Sequence, residues 1–258
     1  MELSPENLIL NLNTRFVGRH IIYYPSLLST MDIARGAGWQ GAVEGTVVIV
    51  EEQTAGRGRR QRSWISPQGG IALSIILRPS VQHLPQMIML ASLAVTNAIE
   101  SITGLQIGIK CPNDVLIGGK KVCGILIENQ MRGSNLEFTV VGIGINVNMD
   151  PSVYSEIADI ATSLSAELGQ PVSRNELVQK LMVEVEKLYL DIKTGKSLHQ
   201  RWREHMVILG RGVQIIEEGK VEQGVAEDVD VDGSLLLRHS DGSLTRIVAG
   251  DVTLRPLL

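Results

Sequence analysis

Only two cysteines, Cys111 and Cys123, occur in this chain of 258 residues. They are too few for a disulfide framework and lack the paired spacing of a zinc site, so the chain fits a reducing compartment, with both thiols as small core residues. No apolar stretch approaches the ~18 residues needed to span a bilayer, and no basic flank precedes an apolar run at the N-terminus. These absences predict a cytoplasmic protein with no membrane partner. An excess of basic charge is also missing: 24 Lys and Arg stand against 28 Asp and Glu, a formal net charge of -4. A protein that coats nucleic acid normally shows a broad basic face, and this composition excludes one. There is no internal repeat and no low-complexity tract. The hydrophobic content of 44% is enough to bury a substantial core, and the length suits one large domain plus a small one.

The periodicities give an order of elements. "RHIIYYPSL" reads as an opening strand, and Ser29 or Thr30 is placed to cap a short helix over "STMDIARGAGWQG". The β-branched run "GTVVIVEEQ" is a buried strand, and "GGIALSIILRP" is another. "LPQMIMLASLAVTNAIESITG" has helical spacing and stops at Gly104. From Leu105 to Asn148 the pattern becomes an antiparallel meander through "LQIGIK", "VLI", "VCGILIE" and "EFTVVGIGINVN". Helices are expected over "YSEIADIATSLSAELG" and, behind a Ser173–Glu176 capping box, up to Gly195. Short strands with Asp232-Gly233 and Asp241-Gly242 turns then suggest a small β-barrel. The expected class is therefore α+β: a mixed or antiparallel sheet with packed helices over residues 1–211, followed by an SH3-like barrel over 212–258.

Against the acidic background, Arg57, Arg59, Arg60 and Arg62 crowd into one loop with Gly56 and Gly58, and Trp64 follows. A solvated charge run is the commonest account of such a cluster. The glycines point elsewhere, since they let backbone approach a ligand while guanidinium forks bind phosphate or carboxylate. No G-x-x-x-x-G-K-[ST] pattern is present, which excludes a Walker-type phosphate loop. An RGG-like nucleic-acid arm would need a repetitive tract, whereas this motif occurs once, between two strands. A second constellation, "KCPNDVLIGGKKVCGILIE", sets Lys110 at a strand end, Asp114 at the start of the next strand, Lys121 on the return strand and Gly124 within it. In "VVGIGINVN", Gly142 and Gly144 share one face by period two, ending near Asn146. Glycines on one face leave a groove.

Taken together the chain resembles the biotin protein ligases, also called biotin–acetyl-CoA-carboxylase synthetases. "GRGRRQRSW" is similar to that family's Gly-Arg-Gly-Arg-Arg-Gly signature, "KCPND" to its Lys-Trp-Pro-Asn-Asp, "KKVCGILIE" to its Lys-x-x-Gly-Ile-Leu and "GIGINVN" to its Gly-x-Gly-x-Asn strand. "LLSTMDIA" matches the Ser-Thr pair of the opening helix, and the likeness runs from about Gly18 to the C-terminus. Two departures stand out: Gln61 replaces a glycine, which would stiffen the loop, and Cys111 replaces a tryptophan.

The resemblance implies a class II synthetase-like catalytic domain that uses ATP to convert biotin into biotinyl-5′-AMP, then passes biotin to a lysine of a biotin carboxyl carrier protein. Arg57, Lys121 and Asp114 are the implied catalytic residues, the first two holding carboxylate and α-phosphate and the third assisting the acceptor amine. Ser29, Thr30, Gln53, Gly56, Arg57, Gly58, Arg59, Lys121, Gly124 and Gly142 are implied for biotin. Arg59, Arg62, Trp64, Lys121 and Asn146 are implied for ATP, with Arg60 a helper. Mg²⁺ is expected as the counterion of ATP, with no protein-held metal. The loop is expected to be mobile when empty. Trp39 and Trp202 read as packing residues. A homodimer through a sheet edge follows from the resemblance. DNA binding is not expected, because some family members carry an N-terminal helix-turn-helix and here about 15 residues precede the similar region. A lipoate-type ligase and a nucleic-acid-binding module using the arginine loop are the alternatives.

Overall fold

The computed structural model describes residues 3–217, 220–248 and 251–254. In chain order they form α1 (Pro5–Leu10), β1 (Ile21–Leu27), α2 (Thr30–Trp39), β2 (Val47–Gln53), β3 (Ile71–Leu77) and α3 (Gln86–Thr103). The strands β4 (Gly108–Lys110), β5 (Asp114–Ile117), β6 (Lys120–Arg132) and β7 (Asn135–Ile145) follow. Next come α4 (Leu164–Leu168), α5 (Arg174–Lys193) and α6 (His199–Glu204). The chain closes with β8 (Gly212–Glu217), β9 (Lys220–Val229), β10 (Leu235–Arg238), β11 (Leu244–Ile247) and β12 (Asp251–Leu254).

The first sheet has seven strands in the order β1-β2-β3-β7-β6-β5-β4. β1 and β2 are parallel, which requires a crossover, and α2 provides it. All the other neighbours are antiparallel. Alternation along β3 sorts the layers. Ile71, Leu73, Ile75 and Leu77 join the main core with α3 and α5, while Ile76 joins a smaller cluster with Met31 and Ala34 of α2. Each such buried aliphatic side chain stabilises the fold by roughly 1.5–3 kcal/mol. α3 fits its sequence signal closely: it ends at Gly104, which adopts φ 69° in the left-handed region and returns its N–H to the Glu100 carbonyl.

The register explains where a cavity can form. Asp114 pairs with Gly124, Gly124 with Gly144, Gly144 with Ala72 and Ala72 with Val50, so one row across the sheet carries almost no side-chain bulk. The neighbouring row sets Leu126 beside Gly142 and Gly142 beside Ser74. α2 is ten residues long and covers one end of this face. The rest is a hollow floored by glycine.

One expectation differs from the structure. The helix expected over "YSEIADIATSLSAELG" is confined to α4, preceded by the 3-10 turn Pro151–Val153 and further turns. The reason is tertiary: the Lys121 N–H donates to the Ile160 carbonyl at 2.8 Å and the Lys121 carbonyl accepts from the Thr162 N–H at 2.9 Å, so the chain leaves its turns at Ala161 to bridge β6. Ser163 then caps α4, accepting from the Ala166 N–H at 3.3 Å. The N-terminal residues also form a helix, α1, capped by Ser4 and packed through buried Leu8.

The C-terminal strands form an antiparallel five-stranded sheet in the order β11-β10-β9-β8-β12. Its apolar residues Val213, Ile215, Ala226, Val229, Leu235 and Leu237 lie in the same core cluster as α3 and Trp202. Arg203 of α6 contacts Asp228 of β9 at 2.6 Å, and the His199 ring meets the Val229 carbonyl at 2.7 Å.

Candidate active site

The hollow over the glycine rows is a cavity of about 540 Å³ lined by Ser29, Thr30, Gln53, Arg57, Gly58, Arg59, Arg62, Trp64, Asp114, Lys121, Gly124, Gly142 and Asn146, among others. Of the residues singled out from the sequence, Gly56 is the exception among the glycines. It lines a neighbouring cavity, and a Cβ there would come within 2.4 Å of the Trp64 carbonyl oxygen. Its smallness therefore serves the folding of the loop.

That loop is a closed hairpin. Gly58 N–H donates to the Arg62 carbonyl at 2.7 Å, Trp64 N–H to the Gly56 carbonyl at 2.8 Å, and Arg57 bridges Ser63. Its tip is a 3-10 turn, Arg59–Gln61, in which Arg60 takes φ 53°. The left-handed residue is Arg60, so Gln61 meets no backbone conformation that demands glycine. The guanidinium groups are directed apart by protein partners. Arg57 Nη2 lies 2.9 Å from Asp32 Oδ1 and 3.4 Å from Glu128 Oε1. Arg59 Nη1 donates to Asn113 Oδ1 at 3.2 Å, and Arg60 Nη1 to the Ile216 carbonyl of β8 at 2.8 Å. Arg57, Arg59 and Arg60 thus each have a protein acceptor.

Lys121 ends near the centre of the cavity. Its Nζ is 2.6 Å from Asp114 Oδ1 and 5.4 Å from the centroid of the Trp64 ring. Trp64 lies against the glycine floor: a Cβ at Gly144 would fall 2.4 Å from the indole Nε1, and one at Gly124 would fall 2.9 Å from Cζ3. Gly142 makes room for Met31, whose Sδ would be 2.5 Å from an added Cβ. The glycines expected to admit a ligand thus also admit two protein side chains.

The cavity wall also carries uncharged polar groups. Ser29 occupies the N-cap of α2, yet its hydroxyl caps nothing. Gln53 does that work instead, its Oε1 accepting from the Thr30 N–H at 2.8 Å and from the Thr30 hydroxyl at 3.1 Å. Ser74 completes the chain by donating to Thr30 Oγ1 at 2.8 Å. Ser29 Oγ is left buried with no partner. An unpaired buried hydroxyl costs about 1–3 kcal/mol, so the position is costly unless a ligand satisfies it. Asn146 lines the cavity too, but its Nδ2 already donates to the Thr162 carbonyl at 3.0 Å, which leaves its oxygen for a ligand.

Ser74, Gly144, Asn113, Asp32 and Glu128 were not assigned from the sequence. Period two had marked Gly144, and Asn113 sits inside a quoted motif. Asp32 and Glu128 also lie inside quoted motifs, at the fourth residue counted from Ser29 and the last of "KKVCGILIE", whereas Ser74 carried no signal beyond its strand. Both cysteines are buried, and desolvation pushes the Cys111 thiol up to about 12 and raises Cys123 as well, so neither supplies a thiolate. Trp202 is buried and donates to Ser92 Oγ at 2.9 Å, whereas Trp39 is 41% exposed and packs edge-on against Phe138. No group of metal-binding side chains is assembled among the described residues. No helix among them is long and apolar enough to cross a membrane.

A cavity whose wall carries both cations and neutral hydrogen-bonding groups suits an anionic acyl compound and a nucleotide. The chain falls in the class of biotin and lipoate protein ligases: residues 24–146 match the Biotin/lipoate A/B protein ligase family, and residues 208–255 match the Biotin protein ligase C terminal domain. The bifunctional ligase/repressor BirA of Bacillus subtilis is 38% identical over 98% of this chain and 79% of its own length. The biotin--[acetyl-CoA-carboxylase] ligase of Paracoccus denitrificans is 33% identical over 76% of this chain and 85% of its own. The biotin protein ligase from Aquifex aeolicus, solved with biotin and ATP, superposes with a TM-score of 0.79 at 28% identity, covering 92% of this chain and 99% of that one. The chain belongs to the biotin protein ligase family.

Proposed function

We propose that the protein is an ATP-dependent biotin protein ligase that forms biotinyl-5′-AMP and transfers biotin to a lysine of a biotin carboxyl carrier protein. The observation that carries this reading is the mixed lining of the cavity. Arg57, Arg59, Arg62, Lys110 and Lys121 line it, while the unpartnered Ser29 hydroxyl is buried in its wall. Biotin has this pattern: a neutral ureido ring that needs uncharged partners, an apolar tail and a carboxylate.

In the first step a carboxylate oxygen of biotin attacks the α-phosphorus of ATP, and the bond to the β-phosphate breaks as pyrophosphate leaves. Two anions must meet, and Arg57 and Lys121 offset their repulsion. Arg59 and Arg62 hold phosphate oxygens, and Mg²⁺ enters as the counterion of ATP. Trp64 offers a ring face to adenine, and the Asn146 oxygen accepts from its amino edge. Ser29, Thr30, Gln53, Gly58, Gly124 and Gly142 surround biotin. In the second step the acceptor amine attacks the acyl carbon and AMP departs. Asp114, released from Lys121 when the adenylate takes that ammonium, accepts the amine's proton.

We place the catalytic domain at residues 1–211 and the C-terminal domain at 212–258, and we expect a homodimer through β1, which pairs with β2 alone among the described strands. A nucleic-acid role for the arginine loop is disfavoured, because the chain carries a net charge of -4 and the loop lines a cavity. A salt-resistant mobility shift of operator DNA would contradict this. The direct test is transfer of labelled biotin to a carrier domain by wild type, Arg57→Ala and Lys121→Ala. Each variant should lose roughly 3 kcal/mol of transition-state stabilisation, about a hundredfold in rate. Near-normal rates in both would remove the assignment. Stimulation of ATP–pyrophosphate exchange by lipoate rather than biotin would redirect it to the lipoate ligases.

A further inference from the structure

Arg57 is the loop residue assigned to the biotin carboxylate, yet what orients it lies outside the loop. Asp32 stands in the first turn of α2 and Glu128 within β6, both on regular elements, and Arg57 Nη2 reaches the first at 2.9 Å and the second at 3.4 Å. Arg35, one turn further along α2, closes the set: its Nη2 is 2.7 Å from Asp32 Oδ1 and its Nη1 3.6 Å from Glu128 Oε2. Two carboxylates therefore hold two guanidinium groups between helix and sheet. Arg35 shares both acids, so Arg57 faces the equivalent of one negative charge rather than two. Both acid contacts use Nη2, leaving Nη1 and Nε of Arg57 as donors.

We infer that Asp32 and Glu128 are positioning residues for biotin activation: they present the Arg57 guanidinium to the carboxylate of the acid substrate, and so set the preference for a charged over an uncharged biotin tail. A long arginine side chain loses much rotamer freedom on being fixed, so holding it in place before the ligand arrives favours binding. The contacts are partly solvated, with the Arg57 side chain 38% and that of Asp32 43% exposed, which limits each to a modest effect. Asp32 also favours the N-terminus of α2, and a purely structural role would act there alone.

The inference rests on the biotin-ligase reading, and its test separates the two. Calorimetric titration compares biotin with biotinol, its uncharged alcohol analogue, in wild type, Asp32→Asn, Glu128→Gln and the double variant. Each single change should lower the preference for biotin over biotinol roughly fivefold, with biotinol affinity and melting temperature little altered. Asp32→Glu should restore part of the preference. Glu128→Gln acts from a strand, so it tests the contact even where Asp32→Asn disturbs the helix. An unchanged or raised preference in the double variant, or equal weakening of both ligands, would overturn the inference. A wild type that binds neither compound would remove the ligase reading and the inference with it.

Discussion

At the scale of single residues, Ser29 shows how a site can be recognised by what it leaves unsatisfied. Its position before α2 suggests a helix cap, but Gln53 bonds the Thr30 N–H and the Ser29 hydroxyl stays buried without a partner. That leaves the hydroxyl available to a ligand, in keeping with its proposed place beside biotin. Ser29→Ala should therefore leave the melting temperature of the free protein unchanged or slightly higher while weakening biotin roughly tenfold, as the loss of about 1.4 kcal/mol of hydrogen bonding would do. Paired melting and titration experiments check both halves, and a destabilised free protein with normal affinity would return Ser29 to a structural role. Gly144→Ala probes the opposite kind of constraint. The new methyl would meet the Trp64 indole at 2.4 Å, so the ring must leave the sheet. The expected result is a changed Trp64 fluorescence and slower ATP–pyrophosphate exchange, with secondary structure intact.

At the scale of elements, a buried ion pair ties the start of α5 to β2. Arg174 Nη1 lies 2.6 Å from Glu51 Oε2, with side-chain exposures of 7% and 8%, and it also donates to the Gly70 carbonyl at 3.1 Å. Glu51 Oε1 accepts from the Leu3 N–H, which brings the N-terminal segment into the same knot. Removing one partner strands the other charge in the core. Arg174→Ala should cost about 3–5 kcal/mol in urea-denaturation measurements, and a loss below about 1 kcal/mol would mean that Glu51 finds water or another donor. The consequence for function is indirect: β2 ends in Gln53, which holds the head of α2 beside the cavity.

For the molecule as a whole, a second tie sets limits in pH. Burial would raise the Glu44 carboxyl, but the Tyr189 hydroxyl at 2.6 Å, Lys193 at 2.9 Å and the Arg78 N–H at 2.8 Å outweigh it and hold the group below its ordinary value. A carboxyl depressed in the folded state contributes stability that is complete above its unfolded pKa, about 4.3, and is lost as pH falls through the folded one. Burial, and after it the bond to Glu44, push Tyr189 up. The sign is then reversed: that contribution is complete below the unfolded tyrosine value of about 10 and is lost at higher pH. Glu44→Gln should flatten the acid limb of a melting-temperature profile below about pH 4.5, and Tyr189→Phe the alkaline limb above about pH 10. Profiles identical to wild type would refute the assignment. Between those limits the two thiols stay protonated and buried, so maleimide should label neither Cys111 nor Cys123 in the folded protein at pH 7.

Much of this molecule is legible along the chain. Helical spacing marks α3 and Gly104 ends it, alternation marks the strands of the meander, and the motifs around Arg57, Lys121 and Gly142 point to a site that proves to be one cavity. These are short-range signals, set by side-chain period, backbone freedom and the local density of charge. What the chain order does not carry is the choice of partner. The segment before α4 reads as helix but is broken into turns, because Ile160 and Thr162 bond to Lys121 of β6 instead. Ser29 reads as a cap and is freed by Gln53, while Arg57 reads as an unpaired cation and is held by acids from a helix and a distant strand. Each outcome depends on which groups the sheet register brings within hydrogen-bonding distance, a condition that exists only once the chain has folded.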